Sequence, residues 1–302
     1  MTESMATLDS LVKYKTLPIW TETTLPESFQ TRHNTKQRTW AKITVEAGQL
    51  QYDALSETEE VLSTEIITPQ HTDFFVSPGD WHRVKPLGTV RCFVEFYCRA
   101  EDYFQKKYQF AAPHQDIKAL IQKPLADQVN MNILDLGCGK GRNATYLYTQ
   151  GHRVTALDKN VDSIKGLQTV IAAENVGDRF QAREYDIASA TLDDYYDLII
   201  STVVFQFLKH DALNAVIEDM QAHTTQNGHH FIIAPVSSAE FPCSIDFPST
   251  FAPQELRRYY AHWQIIEYRE DVGTFHRKDS DDKPFEAIFA TLFAQKTAFL
   301  HR

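Results

Sequence analysis

Asp135 is followed by glycines at positions 137, 139 and 141, inside the run Ile133-Leu-Asp-Leu-Gly-Cys-Gly-Lys-Gly-Arg-Asn143. A short apolar run that breaks into Gly-x-Gly-x-Gly reads as a buried strand turning sharply into a helix. Glycine tolerates positive φ and lets another molecule lie against bare backbone. The free amides at the start of the next helix then face that molecule. A second mark, Thr155-Ala-Leu-Asp158, places a carboxylate where it can accept hydrogen bonds from both hydroxyls of a ribose. A third is Tyr185-Asp186-Ile187, with an acid at the end of the next strand beside an apolar neighbour, and a fourth is the strand-like run Tyr196–Thr202. A single loop aspartate often does no more than cap a helix. Marks repeated in this order at strand ends argue instead for one nucleotide-like ligand.

The details of the loop narrow the ligand. A dinucleotide fingerprint needs its third glycine at position 142, where this chain has Arg142. A phosphate-binding P-loop needs Gly-Lys-Ser/Thr, and Gly139-Lys140 is followed by Gly141. An acid followed by Gly-x-Gly-x-Gly resembles the first motif of S-adenosylmethionine (SAM) methyltransferases. In that fold the second acid holds the ribose, and the third takes a hydrogen bond from the adenine amino group.

The elements that must position these residues lie in the second part of the chain. Ile133–Leu136, Val154–Leu157, Leu198–Ser201 and Phe231–Ala234 read as buried strands. Between them Ile164, Leu167, Val170 and Ile171 share one helical face, and Leu213, Val216, Ile217 and Met220 share another. Strand and helix in alternation predict a mostly parallel sheet covered on both faces, with ligands at the carboxyl ends of its strands. Before residue 110 the grammar differs. Ala41-x-Ile43-x-Val45, Leu50-x-Tyr52 and Cys92-x-Val94-x-Phe96 alternate between turns such as Ala47-Gly48 and Ser77-Pro-Gly79. That pattern predicts a small antiparallel barrel or sandwich, with Pro113 near the join.

The totals exclude several classes. A chain of 302 residues that is 43% hydrophobic and 23% charged is ordinary globular material for two domains. Cys92, Cys98, Cys138 and Cys243 form no CxxC pair and fit reduced thiols. No apolar run approaches the roughly 20 residues of a membrane helix, and the first forty residues do not read as a signal peptide. The expected setting is the cytoplasm, with no membrane partner. A net charge of −10 argues against nucleic acid.

Several segments together resemble the tellurite-resistance methyltransferases of the TehB type. They are Asp135–Asn143, Leu157-Asp-Lys-Asn160, Ser201-Thr-Val-Val204, Tyr103–Tyr108, Phe241-Pro-Cys243, Glu255–Tyr260 and Asp271-Val-Gly-Thr-Phe-His-Arg277. The first half resembles the cupin-like barrel of longer members through His33-Asn-Thr-Lys36 and Pro78-Gly-Asp-Trp-His-Arg-Val84. The resemblance implies a seven-stranded Rossmann-like SAM methyltransferase sheet over residues 109–302, preceded by a small all-β cupin-like barrel over residues 1–108. It implies an enzyme that uses SAM to methylate tellurite and selenium oxyanions. Carried over by position, Gly137, Arg142, Asp158, Lys159, Asp186, Ile187 and Thr202 line the cofactor together with Asp135 and Gly139, and Tyr108 closes over it. The stretch Lys278–Pro284 departs from the family by lacking a Gly-Asn-Arg, so Lys283 would have to stand in for any basic residue there.

An oxyanion bound to a protein of this charge needs local positive donors. Arg257-Arg258 reads as a solvated helix face. His276-Arg277 follows the apolar run Trp263–Tyr268 and Gly273, and is expected on a loop over the mouth of the site as the substrate-binding, catalytic pair. Cys243 reads as a packed, inert thiol, and Phe205 and Phe207 as core. Pro78-Gly-x-x-His82 resembles a metal-binding cupin motif, but His33 and the scattered His71 do not complete a ligand set. The barrel is therefore expected to hold no catalytic metal and to serve packing, homodimerisation or recognition. Two other readings stay open: a SAM methyltransferase for a small thiol or carboxylate, and a non-catalytic SAM-binding sensor.

Overall fold

Alternation of inward apolar side chains builds the first part of the computed structural model, which describes residues 8, 10–278 and 280–297, with backbone alone at 276–278. Its elements are β1 (Leu11–Thr16), β2 (Trp20–Thr21), α1 (Glu27–Gln30), β3 (His33–Asn34), β4 (Trp40–Ala47) and β5 (Leu50–Leu55). There follow β6 (Val61–Ile67), β7 (Phe74–Val76), β8 (Trp81–Pro86), β9 (Arg91–Arg99) and α2 (Tyr103–Tyr108). One antiparallel sheet runs β1-β9-β4-β7, with β2 also on β9, and a second runs β3-β8-β5-β6. Ala41, Ile43 and Val45 of β4 and Cys92 and Val94 of β9 alternate inward onto Leu50, Ile67 and Val84. This period of two is what a sheet with one buried face requires.

The chain divides into compact units at residues 1–109 and 110–302. The second unit contains α3 (Gln115–Gln122), β10 (Asn132–Leu136), α4 (Arg142–Thr149), β11 (Arg153–Asp158), α5 (Val161–Glu174) and β12 (Phe180–Glu184). It continues through β13 (Tyr196–Thr202), α6 (Leu213–Ala222), β14 (Thr224–Val236), α7 (Glu255–Tyr259), β15 (Gln264–Lys278) and β16 (Pro284–Gln295). The strand order is β12-β11-β10-β13-β14-β16-β15. β10 to β14 pair in parallel, and β16 is antiparallel to both its neighbours.

Both faces of this sheet are buried, as near-continuous apolar strands demand. Ile133, Val154, Leu198 and Phe231 point to the face covered by α3, α4 and α5. Leu134, Leu157, Ile199 and Ile232 point to the face covered by α6 and α7. Leu213, Val216, Ile217 and Met220 are the buried stripe of α6, as their spacing predicts. The strand order reverses between β10 and β13, and a crevice opens at such a switch point. The glycine loop follows β10 there.

Candidate active site

The loop after β10 is held open by its backbone. Gly137, Gly139 and Gly141 all have positive φ, of 77°, 54° and 87°. A Cβ on Gly137 would lie 2.3 Å from Val204 Cγ2, so the loop and the segment after β13 touch where only hydrogen fits. A Cβ on Gly139 would meet nothing within 4 Å, which leaves bare backbone facing open space. The amides of Gly137 and Cys138 both donate to the Leu157 carbonyl, at 2.7 and 3.0 Å, and tie the loop to β11.

Asp158, at the end of β11, accepts from the Gly139 amide at 2.7 Å and from the Asn160 amide at 2.8 Å. Each carboxylate oxygen keeps further lone pairs for an incoming donor. Asp186 lies beyond β12 and accepts from the Ala188 amide at 3.1 Å. A cavity of about 360 Å³ is lined by Gly137, Gly139, Asp158, Lys159, Asp186 and Ile187. Tyr185 and Val203 to Leu208 complete its wall in part, including Phe207. Phe207 is 54% exposed, whereas Phe205 is buried at 1%, so the expectation of core holds for Phe205 and fails for Phe207.

Asp135 is wholly buried beneath this loop, and among the described residues neither of its oxygens has a partner in hydrogen-bond geometry, the Ala144 amide lying nearby. Burial raises its pKa to about 7, with the Ala144 amide and the Arg142 charge pulling the other way. Burial, reinforced by the Asp135 and Asp158 charges, also pushes the Cys138 thiol far up, so it is no thiolate nucleophile.

A second cavity, of about 250 Å³, adjoins the first through Val203, which lines both. Val203 has φ 60°, a strained backbone for a β-branched residue. His114, Asp116, Arg142, Arg269 and Asp271 bring the charge to this cavity. The Arg269 guanidinium binds Asp116 at 2.6 Å, Asp271 at 2.7 Å and Glu267 at 3.0 Å. One positive charge thereby offsets part of the charge of three acids. Asn143 links the parts: its amide donates to Thr202 Oγ1 at 3.2 Å, and its carbonyl accepts from the His114 amide at 2.9 Å.

Gly137, Gly139, Asp158, Lys159, Asp186 and Ile187 thus come together at the first cavity. Arg142 lines the second cavity instead, and Thr202 lines neither cavity but accepts from the Asn143 side chain. Tyr108 belongs to the first unit, where it stacks on Phe104 at 6.2 Å. The loop expected for His276 and Arg277 is a strand: β15 runs from Gln264 through Gly273 to Lys278, with its register on β16 shifting between Thr274 and Lys278. Their backbone continues the edge whose Gly273, Thr274 and Phe275 line the second cavity, while their side chains lie outside the described residues. His114, Asp116 and Arg269 escaped the sequence reading. No local motif marks them, since an ion pair between positions 116 and 269 exists only after folding.

Comparison with known proteins decides the family. Residues 96–293 match the profile of the tellurite resistance protein TehB, and residues 15–94 match the TehB-like domain. The chain belongs to the TehB family. A probable SAM-dependent methyltransferase TehB of Haemophilus influenzae is 40% identical over 291 residues, covering 95% of this chain and 99% of that protein. The crystal structure of TehB from Haemophilus influenzae superposes with a TM-score of 0.84 at 39% identity, covering 96% of this chain and all of that one. A protein named Hemagglutinin 1, from Eikenella corrodens, is 36% identical over 243 residues, covering 80% of this chain and 79% of its own length. The chain is a SAM-dependent methyltransferase of the TehB type, with an all-β N-terminal region and an α/β C-terminal one. The open face of Gly139 and the Asp158 carboxylate suit the amino-acid and ribose parts of that cofactor.

Proposed function

We propose that this TehB-type enzyme methylates tellurite and related selenium oxyanions in the cytoplasm. Residues 109–302 form its methyltransferase domain and residues 1–108 its cupin-like domain in this reading. The observation that carries it is the second cavity, which shares Val203 with the first cavity and gathers His114, Arg142 and Arg269, the last ion-paired to Asp116 and Asp271. SAM, when bound, supplies a methyl carbon already activated by its sulfonium. Tellurite has a lone pair on tellurium, so no side chain need remove a proton first.

The chain's task is alignment and exclusion of water. Asp158, Asp186 and the glycine loop hold the cofactor. Lys159 and Ile187 add wall, and Asp135 lies buried beneath the loop. Arg142, with His276 and Arg277 on β15, holds the oxyanion by charge-assisted hydrogen bonds. Arg269 is a positioning residue that holds Asp116 and Asp271 and offsets part of their charge.

Detection of methylated tellurium or selenium by mass spectrometry, alongside a small-thiol acceptor, tests the reading. Arg277→Ala should lower kcat/KM for tellurite about ten- to a hundredfold, as loss of one charge-assisted contact implies. SAM affinity should not change, and the neutral acceptor should lose far less. His276→Ala should act in the same direction more weakly. Equal losses for anionic and neutral acceptors would overturn the oxyanion role.

A further inference from the structure

The first unit contains a cavity larger than either of those in the second, of about 680 Å³. A small β-barrel or sandwich normally fills its interior with side chains or keeps it for one small ligand. Here the interior is kept. Its wall is mostly apolar, from Trp20, Leu25, Phe29, Ile43, Val94 and Phe96. A few polar groups interrupt that wall, which is the composition of small-molecule sites.

His33 and His82 face each other across β3 and β8 in register, with ring centroids 4.1 Å apart. His33 Nδ1 lies 3.0 Å from the Thr31 carbonyl, and His82 Nδ1 lies 2.9 Å from the Asp80 carbonyl. A carbonyl can only accept, so each Nδ1 carries the proton and each Nε2 is left an acceptor. Burial lowers the pKa of both rings, that of His82 to about 4, so both are neutral near pH 7. Neither Nε2 has a hydrogen-bond partner among the described residues, and both rings line the cavity.

The pair is held rigidly. Phe29 packs on His33 at 5.1 Å and Tyr52 on His82 at 5.4 Å, and Trp20 and Phe74 extend the row at 5.1 and 4.9 Å. Among the described residues, no group of three or more His, Cys, Asp or Glu could hold a metal ion. The pair thus asks for hydrogen-bond donors. The buried Thr39 hydroxyl also lines the cavity, near the Tyr14 phenol but out of hydrogen-bond geometry.

Charge decides the rest of the ligand. Lys15, Lys36 and Lys106 line the cavity, and among the described residues no Asp or Glu does, in a chain of net charge −10. Lys15 and Lys36 are exposed and stand at its rim. We infer that this cavity is a second binding site, for a small aromatic carboxylic acid that carries a hydroxyl or ring N–H. The donor meets the His33 and His82 Nε2 atoms, the ring fills the apolar wall, and the carboxylate meets the rim lysines.

Calorimetry on the full chain with 4-hydroxyphenylacetate and indole-3-acetate tests this. Saturable one-to-one binding is expected for at least one acid, with a Kd on the order of 0.1 mM for ligands of this size. The matching methyl ester should bind about tenfold more weakly, as should the acid to Lys15→Gln/Lys36→Gln. His33→Phe keeps the aromatic row and should also weaken binding about tenfold. Ile43→Trp, which fills the cavity, should abolish binding while binding of S-adenosylhomocysteine persists. Should that variant fail to fold, the surface double variant and the ester decide alone. No saturable binding by either acid, or binding indifferent to the ester and to the lysines, overturns the proposal.

Discussion

The cofactor cavity and its neighbour share Val203, yet they are assembled in opposite ways. The first draws its walls from one stretch of chain, Gly137 to Leu208, as consecutive strand ends of a parallel sheet. The second draws on His114 and Arg142 from one end of the unit and on Arg269 to Thr291 from the other. A cofactor common to many acceptors can be held by local loops of fixed geometry. An acceptor site must be made from what the fold brings together, and in the proposed reading that is the edge strand β15 and the segment before α3.

The first way to break this contrast is to fill the glycine loop. In Gly137→Ala the new Cβ would sit 2.3 Å from Val204 Cγ2, in a backbone at φ 77°. Left-handed backbone alone costs an alanine about 1–2 kcal/mol, and displacing Val204 moves the cavity wall. Binding of S-adenosylhomocysteine should fall by at least about a hundredfold, a loss of more than about 2.7 kcal/mol. Gly139→Ala meets no protein atom within 4 Å and should lose only about 1 kcal/mol of stability by thermal melting, although its Cβ faces the space open to the cofactor. Equal losses of stability from both would mean that contact with Val204 adds nothing to the backbone strain.

Asp158→Ala comes next. It removes the ribose acceptor and frees the Gly139 and Asn160 amides. A loss on the order of 2–4 kcal/mol in SAM binding by calorimetry is expected, because charged hydrogen bonds carry about 1.5–3 each and rarely add fully. Unchanged affinity would place the ribose on another strand.

Asp135 carries the expected pH dependence. Burial raises its folded pKa to about 7, above the unfolded carboxylate value. The folded protein therefore binds the extra proton, and stability falls as pH rises from about 4 to about 7. Asp135→Asn abolishes that slope and should stabilise the ligand-free protein by about 2 kcal/mol at pH 8, with little gain at pH 4. Urea titrations at both pH values measure it. A gain independent of pH would show that the carboxyl is ionised in the fold throughout.

These differences also explain what the sequence disclosed. The apolar runs, the helical stripe of α6 and the alternation in β4 and β9 are local periodicities, so strands, helices and the division of the chain could be read before folding. The glycine loop, Asp158 and Asp186 were legible for the same reason, since each is tied to the end of its own strand. Arg269 was not, because its partner Asp116 lies 153 positions away. The loop expected at His276 failed through Gly273: a glycine in an apolar run reads as a turn. In β15 it remains in the strand, where a Cβ would come within 3.0 Å of Phe289. Phe207 shows that apolar character does not imply burial, since an aromatic ring at a cavity stays exposed.

The smallest effect is expected at Val203, and it tests the seam itself. Its amide donates to the Ile233 carbonyl at 2.7 Å, which holds the residue at φ 60°. Left-handed backbone costs a non-glycine residue about 1–2 kcal/mol, and more when Cβ is branched. Val203→Gly removes that strain but also exposes packing and frees the unfolded chain by about 0.5–1 kcal/mol. These terms oppose one another, so the stability change should stay within about 1 kcal/mol. At a relaxed strand position, by contrast, the same replacement should cost clearly more. Activity should respond differently, because the side chain lines both cavities. Affinity for S-adenosylhomocysteine should hold, since the Asp158 and Gly139 contacts remain, while kcat for tellurite falls more than KM rises as acceptor alignment loosens. A destabilisation beyond about 2 kcal/mol would mean that the fold gains nothing from relieving this backbone. A fall in cofactor affinity with kcat unchanged would mean that Val203 serves the first cavity alone, and that the two cavities do not meet where the methyl group must pass.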